Sequence, residues 1–324
     1  MKLATLPNGT EDGALVVVSR DLTSAAPAVS IAPSLLSALR DWDRTGPLLV
    51  ALAKKVEEGV APGLAAFDQA RALAPLPRAP QWLDGSAFLN HGRLMDQAFG
   101  NVPVPDFETH PLVYQGASDD FLGPQATLVQ ADESLGIDCE GEFGVIVDEV
   151  PIGASADAAL DKVRLIVQIN DWSTRAPGPW EMKRGFGFVH SKPSTGFAPC
   201  AVTPDELGDY WREGRVCLPL RVEVNDKRLG EPNGAEMTFH FGQIIAHAAR
   251  TRRLTAGTIV GSGTVSNVDR KAGSACLAER RIIEKIDKGA PETPFLKFGD
   301  RVRMEARLPD GPLFGAINQR LMQA

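Results

Sequence analysis

The chain predicts an α+β, β-rich fold, and three observations carry that reading. Strand-like segments outnumber helical ones, and the two kinds do not alternate as they do in doubly wound or barrel α/β folds. A stretch with three prolines in eight residues, Leu73–Pro80, also divides a short mixed portion from a longer, strand-dominated one. Prolines at that density exclude both a helix and a central strand. The boundary is placed there, giving a small N-terminal α+β domain over 1–75 and a larger domain over 76–324. At 324 residues the chain is long enough for one large core and a smaller one.

Lys2–Leu6 and Ala14–Ser19, joined through Pro7-Asn8-Gly9, read as a hairpin. Helical periodicity follows over Pro33–Trp42. It returns from Pro47 through Leu48, Leu49, Leu52 and Val56, where Gly59 stops it. Beyond the prolines, strands are expected at 137–147, 163–170, 216–225, 257–263, 300–307 and 312–318. Turns are expected at Asn225-Asp226 and Pro309-Asp310-Gly311. Two helices are expected there, near 155–162 with Ser155 as cap and near 238–250 with Thr238 as cap and Ile244, Ile245 and Ala248 on one face. Arg250-Thr251-Arg252-Arg253 reads as the cationic last turn of the second, where it complements the helix dipole.

Hydrophobic content of 44% and charged content of 23% suit a soluble globular enzyme. A net charge of −7, from 34 basic and 41 acidic residues, argues against a general affinity for nucleic acid. Cys139, Cys200, Cys217 and Cys276 form no C-x-x-C pair and suit buried free thiols in a reducing cytoplasm. No run approaches the ~20 apolar residues of a membrane span, and Met1–Thr5 lacks the character of a signal peptide. A cytoplasmic protein without a membrane partner is expected.

The segment Ile137–Val147 carries most of the chemistry. Residues two apart on a strand share a face, so Glu140 and Glu142 are neighbours, roughly 7 Å apart. Ile137, Cys139, Phe143, Val145 and Val147 make the opposite face apolar, while Ile146 is in phase with the glutamates, so their own face is not all water. Gly141 and Gly144 interrupt the strand where something must approach the backbone closely. Asp171, at the end of the apolar run before it, supplies a further carboxylate. Side-by-side carboxylates in such surroundings need water or a cation, and all-oxygen ligation selects Mg²⁺, Ca²⁺ or Mn²⁺ over zinc. By themselves Asp84 reads as a cap and His91 as a structural donor. Residues 185–196, glycine-rich and aromatic with the single Lys192, suggest a loop over a ligand pocket. They lack the order of a phosphate loop, and Gly261-Ser262-Gly263 is no dinucleotide fingerprint, so no nucleotide cofactor is expected.

Glu140-Gly141-Glu142 followed by Asn170-Asp171-Trp172-Ser173-Thr174-Arg175 resembles the E-x-E and N-D-W-S-x-R motif of the fumarylacetoacetate hydrolase family. The likeness runs from about residue 76 to the C-terminus, and 1–75 is similar to the bacterial two-domain form. The resemblance implies a mixed β-roll/β-sandwich catalytic domain and a divalent cation, Mg²⁺ or Ca²⁺ with Mn²⁺ possible, held by Asp84, Glu140, Glu142 and Asp171. It implies a catalytic His91, seven residues after Asp84, oriented by Glu279. Lys192 and Arg175 would act in catalysis and substrate binding, with Tyr114 and Thr264 as further substrate contacts. Two departures stand out: Gly178 replaces a glutamine that follows the motif arginine by three, and Ser86 replaces an aromatic residue, with Phe88 nearby. The implied activity is metal-dependent hydrolysis of a carbon–carbon bond in a small 1,3-diketo acid. Fumarylacetoacetate, split to fumarate and acetoacetate in tyrosine or aromatic degradation, is the first choice. Fumarylpyruvate or acylpyruvate hydrolysis and oxaloacetate decarboxylation are the alternatives, and a homodimer is the assembly common in the family.

Overall fold

The computed structural model describes residues 1–99 and 105–324, without the side chains of residues 98 and 99. Strands form where β-branched and aliphatic residues alternate or run together. In chain order they include β1 (Lys2–Leu6), β2 (Ala14–Val18), β3 (Ser24–Pro27), β4 (Trp82–Gly85), β5 (Val113–Gly116), β6 (Thr127–Gln130) and β7 (Gly141–Val147). They continue with β8 (Val163–Asn170), β9 (Cys200–Val202), β10 (Arg221–Val224), β11 (Ile259–Gly261), β12 (Arg301–Glu305) and β13 (Ile317–Gln323). The α-helices are α1 (Leu35–Leu39), α2 (Trp42–Glu57), α3 (Leu89–Phe99), α4 (Ala156–Leu160), α5 (Gly178–Arg184), α6 (Phe241–Ala248) and α7 (Leu277–Lys288).

The larger sheet sets β3, β2, β1, β9, β8, β7, β11, β4 and β5 side by side in that order. The N-terminal hairpin is therefore continuous with the strands of the larger portion, with Leu3 opposite Ala201. Most neighbours are antiparallel, but β11 and β4 run parallel, Gly261 opposite Asp84. The smaller sheet holds Lys227–Gly230, β10, β12, β13 and β6. The alternation in β7 appears as burial on two sides. Phe143, Val145 and Val147 join one core with Ile166, Val202 and Phe314. Ile146 joins the other, with Val167 and Ile169 of β8 and Leu3, Leu15, Leu35 and Leu49 from the N-terminal portion. Each residue of β7 is thus buried, as expected of a central strand covered on both faces.

Several expected boundaries move. The helix expected from Pro47 begins at Trp42 and keeps Pro47 in its interior. Thr45 Oγ1 donates to the carbonyls of Ala38 and Asp41 and ties its start to α1. His240, not Thr238, is the N-cap of α6, and its N–H donates to Gln243 Oε1 at 2.9 Å. That helix ends at Ala248, so the arginine run lies beyond it. The strand expected at 137–147 breaks at Cys139-Glu140, and that expected at 312–318 gives way to β13. Helices α3, α5 and α7 were not anticipated. The four cysteines are buried free thiols. Among the described residues no helix is long and apolar enough to cross a membrane.

Candidate active site

The site is assembled by sheet register. Tyr114 lies opposite Asp84, Asp84 opposite Gly261, and Gly261 opposite Gly144, so the four residues form one row across β5, β4, β11 and β7. Glu142, two residues from Gly144, shares its face. Gly261 is what admits the Asp84 side chain to this row: a Cβ at 261 would stand 2.3 Å from Asp84 Oδ1. The N–H of Gly263, at φ +73°, then donates to the same oxygen at 2.9 Å. Asp171 follows the end of β8, and its N–H donates to the Glu140 carbonyl at 2.9 Å.

Asp84, Glu142 and Asp171 are all buried, and one oxygen from each lies within 4.8 Å of the others. Burial, and next the charge of Asp171, push the Asp84 carboxyl up to about 8. Burial and the charge of Asp84 push Glu142 well above the usual carboxylate range. Both Glu142 oxygens are buried without a hydrogen-bond partner. Such a group is stable only when protonated or shared with a cation. The unpartnered oxygens and the all-carboxylate donor set fit a hard divalent ion.

Glu140 stands beside this trio rather than within it. Its Oε1 is 2.7 Å from Arg175 and its Oε2 is 2.5 Å from Lys192 Nζ. Burial opposes its ionisation, yet Lys192, Arg175 and His91 together hold the carboxyl well below the usual range. Lys192 Nζ also donates to Asp171 Oδ2 at 2.5 Å. Two carboxylates keep the ammonium charged against the effect of its burial. The Tyr114 hydroxyl donates to Asp171 Oδ2 at 2.6 Å, and burial and the Asp171 charge keep it protonated. Phe188 meets the Tyr114 ring edge-on at 5.3 Å. Below it, the Glu181 carboxylate anchors the loop that leads to Lys192. Its own burial would raise it, but N–H groups of His190, Val189 and Ser191 with the Ser191 hydroxyl hold it down to about 2.

On the other side, α3 carries His91, whose Nδ1 lies 2.8 Å from Glu279 Oε2. Glu279 sits in the first turn of α7 and is 1% exposed, while the His91 side chain is 19% exposed. The neighbouring Asn90 amide donates to Ser266 Oγ and the Asn267 carbonyl at 2.9 Å each, fixing α3 against the segment after β11. Thr264 is buried in that same segment. Sequence reasoning missed Thr195, which donates to Asp171 Oδ1 at 3.0 Å, Gln319 beneath the Asp171 loop, and Asp138. For Asp138 a signal existed, because it is in phase with Glu140 and Glu142. Thr195 lies inside the 185–196 stretch read as a loop over a pocket but was not singled out within it, and no pattern marked Gln319.

Residues 81–322 match the family model described as fumarylacetoacetate (FAA) hydrolase C-terminal. Residues 1–78 match the one described as fumarylacetoacetase N-terminal domain 2. The chain belongs to the fumarylacetoacetate hydrolase family. Among relatives, the 2,4-didehydro-3-deoxy-L-rhamnonate hydrolase of Sphingomonas sp. (strain SKA58) is 31% identical over 171 residues, 52% of this chain and 56% of that protein. The fumarylacetoacetase of Emericella nidulans is 25% identical over 295 residues, 72% of this chain and 68% of that protein. Maleylpyruvate hydrolase from Sphingobium sp. SYK-6, solved with manganese (II) ion and pyruvate, superposes with a TM-score of 0.66 at 18% identity, covering 100% of both chains. The expected α+β, β-rich class with an N-terminal domain is the one this fumarylacetoacetate hydrolase family member has.

Proposed function

We propose that the protein hydrolyses a carbon–carbon bond of a 1,3-diketo acid with a divalent cation, and that fumarylacetoacetate is its substrate. The observation that carries this reading is the 2.8 Å contact between His91 and Glu279 close to the buried carboxylate trio. A fold that only stored an ion would not need a histidine held by a buried carboxylate. The manganese in the maleylpyruvate hydrolase structure and the fumarylacetoacetase relative support the same reading.

Asp84, Glu142 and Asp171 would hold the cation, with Glu140 next to them. When bound, it supplies Lewis acidity that favours the enolate form of a diketone. Glu279 fixes Nδ1 of His91, leaving Nε2 to take a proton from water and later return it to the departing carbon. Lys192 and Arg175 bring positive charge to the oxygens that become anionic. Such donors are typically worth about 3–4 kcal/mol each. Tyr114 and Phe188 wall the site and limit water.

The test is a panel of fumarylacetoacetate, fumarylpyruvate, acylpyruvates and oxaloacetate, assayed with Mg²⁺, Ca²⁺ and Mn²⁺ by loss of enol absorbance. His91→Ala should lower kcat on the diketo acids about a hundredfold and leave cation affinity unchanged by calorimetry. Full activity in that variant would remove the histidine from the reaction. Oxaloacetate decarboxylation that survives it would favour the lyase.

A further inference from the structure

We propose that Asp138 is a positioning residue that sets the distance between the His91–Glu279 pair and the cationic side of the site. The proposal rests on the reading above only for what those two sides do. Asp138 is 0% exposed and touches both of them. Its Oδ1 accepts the N–H of Leu277 at 2.8 Å and that of Cys139 at 2.8 Å. Its Oδ2 accepts the N–H of Ala278 at 2.9 Å and Nε–H of Arg175 at 2.9 Å. A second guanidinium nitrogen of Arg175 lies 2.7 Å from the same oxygen.

Leu277 and Ala278 are the first two residues of α7, a helix of 12 residues. A carboxylate there satisfies orphan N–H groups and meets the positive end of the helix dipole. Glu279 is the next residue, so whatever fixes this turn fixes the carboxylate that holds His91. On the other side Arg175 reaches Glu140 at 2.7 Å, and Glu140 reaches Lys192. A continuous path therefore runs from His91 to Glu279, along the backbone of the first turn of α7 to Asp138, and on through Arg175 and Glu140 to Lys192. Plain helix capping would explain two of its bonds and leave the arginine unexplained. An asparagine cannot replace it, because both oxygens accept from N–H groups and an amide would turn a donor toward one of them.

The experiment uses the full chain loaded with Mg²⁺ and the variants Asp138→Asn, Glu279→Gln and the pair combined. In Asp138→Asn, kcat should fall about thirty- to a hundredfold, the scale of a 1 Å misplacement, with Mg²⁺ affinity unchanged by calorimetry. The double variant should lose clearly less than the product of the two single losses, since part of the effect of Asp138 passes through the Glu279 contact. Proton NMR of histidine-¹⁵N-labelled protein reads that contact without any substrate: the low-field Nδ1 proton of His91 should shift in Asp138→Asn. A resonance that stays in place overturns the proposal, as do unchanged kcat or multiplicative losses. If the wild type cleaves no diketo acid, the proposed reaction fails and the resonance alone decides the tie. Should Asp138→Asn lose its cooperative melt, Leu277→Pro deletes one donor at a position where proline is favoured. The same resonance should then move, and an unmoved one overturns the proposal.

Discussion

A carboxylate removed from water without a donor is costly, and Glu142 is in that position with both oxygens. Its neighbour Asp84 makes the consequence measurable. The native metal-free chain keeps a proton on a carboxyl raised to about 8, which the unfolded chain releases near pH 4. The contribution of this carboxyl to stability is therefore lost as pH rises from about 4 to about 8, and a cation bound there would restore it. Calorimetric titration with Mn²⁺ at pH 7, in buffers of different ionisation enthalpy, should show about one proton or more released per ion. Glu142→Gln should weaken that binding by at least about tenfold. Release of no protons would remove the carboxylate trio as the ion's seat. The direction of Glu142 within β7 was readable because side-chain direction on a strand is set by parity alone. Glu140's engagement by Arg175 and Lys192 was not, since it depends on where two distant loops return.

Gln319 shows what a whole strand contributes. From β13 its Oε1 accepts from Trp172 Nε1 at 2.8 Å and Asn170 Nδ2 at 3.2 Å, while its amide donates to the Gly123 carbonyl at 2.8 Å. Asn170 and Trp172 flank Asp171, so the C-terminal strand holds the loop that presents this carboxylate. Gly196 must lack a side chain here, because a Cβ would stand 2.4 Å from the Gln319 amide. Gln319→Leu leaves buried donors without acceptors, at a cost of about 1–3 kcal/mol each. A lowered melting temperature together with weaker cation binding is expected. An unchanged melt would show that water substitutes for the glutamine. The sequence pattern located β8 to the residue, as an apolar run bounded by polar residues. It misplaced β13, whose polar Asn318, Gln319 and Arg320 break the apolar run that marks a strand. It also missed α7, where Cys276 stands at the N-cap in place of the usual serine, threonine, aspartate or asparagine.

At the scale of the molecule, the N-terminal hairpin and the larger portion share one sheet and one core. Leu3 and Leu15 are buried in the same cluster as Ile146, Val167 and Phe197. Calorimetry should accordingly record one cooperative unfolding transition, and two separated transitions would mean that the portions fold independently. The proline-dense stretch Leu73–Pro80 lies where the two family matches meet, at residues 78 and 81. The pairing of β1 with β9 was not legible, because strand sequences record faces but not partners. The parallel pairing of β4 with β11 has a bearing on biosynthesis. At ribosomal speeds of about 5–20 residues per second, Asp84 emerges roughly ten seconds or more before Gly261 exists to make room for it. The row that joins Asp84 to Gly144 through Gly261 can close only once Gly261 has left the ribosome, so the carboxylate trio is completed late and cannot guide the early collapse of the strands made before it.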